Sequence, residues 1–199
     1  LTPIIGVGAE EVTGQPTPLV FDILPTKQVV WLRFTDGFTE SLRNFGLRSV
    51  SREIQARAEA VMIRDYAGIN LDIRRAEPED FVRFSIVEIG GTDPSGNNRF
   101  GLDNTDGFDE CNVRLDDDIG NFNADSGSFG GIFIESFLEL SPTRGADNPI
   151  ASPRFDEIFE PFILEAARPE ELNGGPRQAQ LAEAIRVLGN LVGNTATHE

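Results

Sequence analysis

The fold is decided by residues 29–74, which read VVWLRFTDGFTESLRNFGLRSVSREIQARAEAVMIRDYAGINLDIR. Residues 29–34 are mostly β-branched, aromatic or aliphatic, and they predict a strand because such side chains suit a half-buried pleated surface. The turn-forming sequence Thr35-Asp36-Gly37 ends that strand. Residues 69–74 alternate apolar and polar side chains, which predicts a second, half-buried strand.

A helix is predicted between these two strands, beginning at Ser49 or Ser51 and ending near Tyr66. Gly68 follows it, at the position where a left-handed cap belongs. A strand, a helix and a strand in this order predict a βαβ unit with a right-handed crossover. The apolar residues of the helix recur with helical spacing on one face. They are Ile54, Ala58, Val61 and Met62.

Two further strands are predicted at residues 81–89 and 132–138. In the first of them, the apolar residues Val82, Phe84 and Ile86 share one face because side chains alternate along a strand. Both segments are bounded by glycine or proline-containing turns, which supports their assignment as separate strands.

Apolar residues at helical spacing also predict a short helical turn near 155–162 and a last helix from Gln178 to the end of the chain. The whole pattern predicts an α/β (α+β) fold, with a twisted mixed sheet of about four to five strands, a backing helix and a C-terminal helix. We interpret residues 1–26 as an N-terminal arm and residues 27–199 as one folded unit. The expected core positions are Trp31, Phe34, Met62, Leu71, Phe84 and Ile134.

Composition and charge limit the possible partners of the chain. Apolar residues make up 39% of the 199 residues, which is typical of a globular protein. The apolar runs are too short to span a bilayer. The net charge of −16 argues against nucleic acids and anionic membrane surfaces, because both are bound by basic surfaces.

The last helix ends with Asn194-Thr195-Ala196-Thr197-His198-Glu199, and His198 is the only histidine of the chain. Steps of three and four residues from Leu188 place His198 near the buried side of this helix. This ending resembles the active-site helix of the zincin metallopeptidases, in particular the secreted, metzincin-like ones, whose helix carries His-Glu-x-x-His.

The resemblance implies that His198 is a zinc ligand and that Glu199 is the general base that activates the metal-bound water. It also implies a second histidine three residues after Glu199, so that the chain would be truncated within the motif. We therefore expect a zincin-like N-terminal subdomain of a secreted, extracellular zinc-dependent endopeptidase, inactive as the isolated chain. Its partners would be a protein or peptide substrate and the missing C-terminal half.

In zincins, an edge strand along the substrate cleft precedes the active-site helix and pairs with the extended substrate. The resemblance implies that the segment beginning at Ile132 is this edge strand, because an exposed edge can accept a further strand. The implied substrate-binding residues are Ile132, Phe133, Ile134 and Glu135.

A long polar loop, residues 91–131, connects the third and fourth predicted strands. Between Asp103 and Asp125 it holds eight acidic residues and one arginine, a net charge of −7. Calcium binds six to eight oxygen ligands of the kind that this loop supplies, although a solvated surface loop remains an alternative. The possible calcium ligands are Asp103, Asp106, Asp109, Asp116, Asp117 and Asp118.

A second functional hypothesis is a non-catalytic secreted module that binds calcium or assembles with copies of itself. The long loop, rich in glycine, asparagine and aspartate, favours this interpretation. Cys111, the only cysteine, is either a buried free thiol or the partner of a cysteine elsewhere. No glycine-rich phosphate-binding loop with the necessary lysine follows a strand.

Overall fold

The computed structural model describes residues 4–7, 10–13, 27–104, 118–120, 122–123, 128–145 and 148–199. Its strands are β1 (Ile4–Val7), β2 (Glu10–Thr13), β3 (Gln28–Phe34), β4 (Leu71–Arg74), β5 (Ser85–Gly90), β6 (Gly101–Leu102), β7 (Asp118–Ile119), β8 (Phe122–Asn123), β9 (Ser128–Phe129) and β10 (Gly131–Phe133). Its α-helices are α1 (Asp36–Ser41), α2 (Ser51–Asp65), α3 (Pro153–Leu164) and α4 (Gln178–His198). Short 3₁₀ helices cover Arg48–Val50, Ile134–Leu140 and Pro169–Asn173.

The central sheet has the strand order β4-β3-β5-β10-β6, and β7 pairs with β5 beside this path. Strands β3, β4, β5 and β10 run parallel, whereas β6 runs antiparallel to β10 at one edge. The predicted mixed α/β sheet with a backing helix is therefore confirmed. The predicted βαβ unit is β3-α2-β4. The N-terminal arm contains a hairpin, since β1 and β2 pair antiparallel with each other.

One face of the sheet packs against α2 and α4. The pairing of Leu32 with Val87, and of Ile89 with Ile132, places these four side chains on that face. All four are buried in one apolar cluster with residues of both helices. Each fully buried aliphatic side chain contributes about 1.5–3 kcal/mol, so this layer is a major source of stability. No helix among the described residues is long and apolar enough to cross a membrane.

Helices α2 and α4 approach each other closely because two positions on α4 are glycine. A Cβ atom at Gly189 would lie 2.5 Å from Arg57 Cβ, and one at Gly193 would lie 2.8 Å from the backbone oxygen of Ala58. Three hydrogen bonds then join the helices: Arg57 Nε to Asn190 Oδ1 (2.8 Å), Arg64 Nη2 to Asn194 Oδ1 (3.3 Å) and Tyr66 Oη to the oxygen of Thr197 (3.3 Å). Together these contacts fix the C-terminal turn of α4 relative to α2.

The third predicted strand is shorter than expected. Its buried face is not the face that carries Val82, Phe84 and Ile86. It begins at Ser85, and Val82 is fully exposed. Pairing of Ser85 with Val30 turns Ser85, Val87 and Ile89 toward the helices and leaves Ile86 half-buried on the other face. The sequence alone could not distinguish the faces, because both carry apolar residues.

The predicted core is confirmed at four positions and wrong at two. Met62 and Ile134 are buried, and Phe34 and Leu71 pack partly buried against the core. The exceptions are Trp31 and Phe84. They lie half-buried outside the core cluster, where their rings meet edge-on with centroids 6.1 Å apart.

Candidate functional site

The C-terminal end of α4 carries the two residues singled out by the sequence. Buried residues hold the 21-residue helix against the core, among them Leu181, Leu188, Val192 and Ala196. His198 is exposed, so its expected place near the buried side is wrong. The steps from Leu188 to His198 span ten residues at about 100° each, which leaves His198 about 80° from the direction of Leu188.

Glu199 lies against the edge strand β6. Its Oε2 accepts a hydrogen bond from the backbone N–H of Asp103, with a nitrogen–oxygen distance of 2.8 Å. A Cβ atom at Gly101 would lie 2.7 Å from Glu199 Oε1, so a larger residue there would displace the carboxylate. The result is a half-buried carboxylate anchored beside the sheet edge by a hydrogen bond across 96 residues.

The edge strand is not the one that the sequence predicted. Strand β10 ends at Phe133 and lies between β5 and β6, so it is an interior strand. Its residues Ile132 and Phe133, and Ile134 after them, are buried and do not form an exposed edge. The edge strand on this side is β6, which has only two residues and no alternating pattern that would have identified it.

Glu135 belongs to a 3₁₀ helix rather than to an edge strand. Its carboxylate accepts hydrogen bonds from Ser41 Oγ (3.2 Å), Asn44 Nδ2 (3.1 Å) and Thr92 Oγ1 (2.6 Å). Its backbone N–H donates to the oxygen of Gly91 at 2.9 Å. Glu135 therefore joins α1 to the end of β5, and the edge pairing on which its substrate-binding role was based is wrong.

The turn that leads into β6 is built around Asp93, which is only 5% exposed. The Asp93 carboxylate accepts hydrogen bonds from the backbone N–H of Ser95 (2.9 Å), the Ser95 hydroxyl (2.7 Å) and the backbone N–H of Arg99 (3.0 Å). Burial opposes ionisation, but these hydrogen bonds outweigh it and hold the pKa of Asp93 below its ordinary value. The charged form of Asp93 thus stabilises the segment before the edge strand.

We expect Asp93→Asn to lower the free energy of unfolding by about 1–3 kcal/mol at neutral pH, since the donors lose a charged acceptor. A depressed folded-state pKa gives stability that is present above the unfolded pKa of about 3.9 and is lost as the pH falls through the folded value. Melting curves between neutral and acidic pH should show the wild type and the variant converging in that acidic range. A constant difference down to the lowest pH would contradict the prediction.

A small cavity of about 130 Å³ lies between the sheet and the C-terminal ends of α2 and α4. Glu199, Asp103 and Tyr66 line it together with apolar residues such as Val87. Ser85 also lines it, and its buried Oγ has no hydrogen-bond partner among the described residues. The sequence pattern did not single out Ser85, because its burial follows from the register with β3.

We expect Ser85→Ala to leave the free energy of unfolding unchanged or to raise it by about 1 kcal/mol, because it removes a buried hydroxyl that gains no protein hydrogen bond. Ser41→Ala is the matched control, since Ser41 is equally buried but donates to Glu135. That control should lower stability by about 1 kcal/mol. Urea denaturation measures both variants, and equal losses would show that Ser85 is hydrogen-bonded.

The possible calcium ligands fall largely outside the described residues. Asp106, Asp109, Asp116 and Asp117 lie outside them, as does Cys111. Asp103 is described and exposed, and the backbone of Asp118 pairs with Ile86 in the sheet. Within the part of the chain that the structure describes, no three histidine, cysteine, aspartate or glutamate side chains are grouped closely enough to hold a metal ion.

No family model, curated protein or solved structure matches this chain.

Proposed function

We propose that the chain is the N-terminal part of a secreted zinc-dependent endopeptidase, in which His198 ligates zinc and Glu199 is the general base. The observation that carries this proposal is the position of Glu199, whose carboxylate is anchored to the end of the edge strand β6 by the Asp103 amide. A histidine and a glutamate that adjoin on one helix, beside a sheet edge, are the elements that the zincin resemblance requires.

The edge strand supports a route for the substrate. Because β6 is the last of the described strands in the sheet order, we propose that an extended peptide adds to it by backbone hydrogen bonds. Such a peptide would pass beside Glu199, since the amide that holds the carboxylate belongs to the residue directly after β6. In this proposal Gly101 and Leu102 replace the segment beginning at Ile132 as the substrate-pairing residues.

The residues present fit zinc only in part. His198 is exposed and therefore accessible to a metal, and zinc bound there would polarise a peptide carbonyl and acidify a bound water. Catalytic zinc requires three protein ligands, His198 is one of them in this proposal, and no group of three possible ligands occurs among the described residues. The proposal therefore requires that the other ligands come from residues encoded after Glu199.

The proposal is tested first by the residues that follow Glu199 in the encoded protein. A histidine should stand four residues after His198, because that spacing returns to the same helix face. The extended protein should then bind one zinc ion per chain, measured by elemental analysis, and His198→Ala should abolish it. Gln180→Ala, an exposed change on the same helix, is the control.

A different residue at that position, or zinc binding that survives His198→Ala, would contradict the proposal. The non-catalytic secreted module, with or without calcium, would then become the leading hypothesis. It would predict a protein without peptidase activity in which Glu199 only anchors the edge strand.

A further inference from the structure

A second cavity, of about 350 Å³, lies beside the carboxyl ends of β3 and β5. Its lining includes Thr35 directly after β3, and Gly90 and Gly91 at the end of β5. Strands β3 and β5 are neighbours in the sheet. The connection after β3 leads to β4 at one edge of the sheet, and the connection after β5 leads to β6 at the other edge. Ligands of open parallel sheets bind at this point, outside the carboxyl ends of the strands where the strand order reverses.

Glycines form part of the lining of the cavity. Gly90 and Gly131 lie on the face of the sheet that carries Glu88, opposite to the helices. A Cβ atom at Gly90 would lie 3.7 Å from Thr35 Oγ1 and 3.9 Å from the oxygen of Ile132, which are ordinary van der Waals distances, so an added carbon would not clash there. The volume lies within the range of small-ligand sites.

Two phenylalanines form apolar walls. Phe133 is buried and Phe129 is 46% exposed, so the cavity offers aromatic surface that is accessible from solvent. An aromatic ring in this position favours a ligand with a flat apolar face, because stacking contacts gain from area and from shape.

Among the described residues of the rim, the polar side chains offer hydrogen-bond acceptors. The hydroxyl of Thr92 donates its hydrogen to Glu135 Oε2 at 2.6 Å, and the hydroxyl of Thr35 donates to the oxygen of Ile89 at 3.3 Å. The carboxylate of Glu88 can only accept, and Arg33 pairs with it and balances its charge. A ligand with hydrogen-bond donors therefore suits these side chains and needs no positive charge of its own.

We propose that this cavity binds one pyranose ring of a carbohydrate. A pyranose combines the two required properties, an apolar C–H face for Phe129 and several hydroxyl donors for Glu88 and Thr92. The proposal is independent of the peptidase proposal, since none of the residues that line this cavity takes part in that proposal.

The probe is methyl β-glucopyranoside, titrated into the isotope-labelled chain and followed by amide chemical shifts. Saturable shifts are expected at Gly90, Gly91 and Gly131, with a dissociation constant of about 1 mM, which is typical of a single small ring with few contacts. Gly90→Val fills the cavity and should abolish these shifts, whereas Phe129→Ala should weaken binding about tenfold. Val82→Ala, at a fully exposed residue outside the cavity, is the control.

Circular dichroism first checks that each variant is folded. If Gly90→Val does not fold, Phe129→Ala carries the test, because its side chain is half-exposed. Absence of saturable shifts, or shifts that both variants leave unchanged, would overturn the proposal. Saturable shifts at the same amides with benzylammonium but not with the glucoside would also overturn it, in favour of a cationic ligand.

Discussion

Replacing Glu199 with glutamine in the proposed peptidase is expected to lower kcat/KM by about 10²–10⁴-fold while zinc remains bound. Glutamine has nearly the same shape and keeps an oxygen that can accept from the Asp103 N–H, which lies 2.8 Å from the carboxylate. It cannot take a proton from a water molecule, so the variant removes the base and preserves the anchor. Cleavage of an unfolded protein substrate and elemental analysis for zinc measure the two properties separately.

Asp103→Ala is the matched control for this experiment. It removes an exposed side chain but keeps the backbone N–H that holds Glu199, so activity should change little. If Glu199→Gln were as active as the wild type, the carboxylate would serve only to anchor the edge strand. Loss of zinc from Glu199→Gln would also contradict the prediction, because the general base is not a metal ligand in this proposal.

The sequence predicted the first half of the sheet well because its pattern is local. In α2 the apolar residues Ile54 and Ala58 are spaced for one buried face, and both are fully buried. Strand β3 is rich in β-branched and aromatic residues, and β4 alternates apolar and polar side chains. Both patterns favour a strand over a helix. Short-range periodicity was therefore sufficient there, and it was sufficient again for α4.

The errors occurred where contacts distant in sequence decide the structure. The run Ile132-Phe133-Ile134 is equally suited to a strand or to a buried helical turn. In the structure the strand ends at Phe133 and a 3₁₀ helix begins at Ile134. Strand β6 has two residues, too few to show any period. Its position as the edge comes from antiparallel pairing with β10, which no local pattern records.

The candidate site was predictable in its residue types and not in its geometry. His198 and Glu199 were identified from a His-Glu dipeptide at the end of a predicted amphipathic helix. The contact between Glu199 and the Asp103 amide joins segments 96 residues apart, and it depends on how closely α4 packs against α2. That packing in turn depends on Gly189 and Gly193, so the stability of the helix pair and the geometry of the site are linked.

Gly193→Val is expected to lower the free energy of unfolding by about 3 kcal/mol, near the upper end of the usual cost of overpacking. The first added carbon would lie 2.7 Å from Val61 Cβ and 2.8 Å from the oxygen of Ala58. Since the second contact is to backbone, a change of rotamer cannot relieve it, and the helices must move apart. Urea denaturation gives the loss, compared with Ala182→Val on an exposed face of α4, which should cost less than about 1 kcal/mol.

A double-mutant cycle with Val61→Ala tests the cause of this loss. Truncating Val61 removes the contact to its Cγ1 atom at 2.8 Å but leaves the contact to the oxygen of Ala58, so Gly193→Val should be rescued in part. The coupling energy should lie within about 0.5–3 kcal/mol, as for residues in direct contact. A separation of the helices would also move the last turn of α4, and with it Glu199, relative to β6. The chemical shift of the Asp103 amide reports this displacement, and an unchanged shift together with a stability loss equal to that of Ala182→Val would refute the close packing of the two helices.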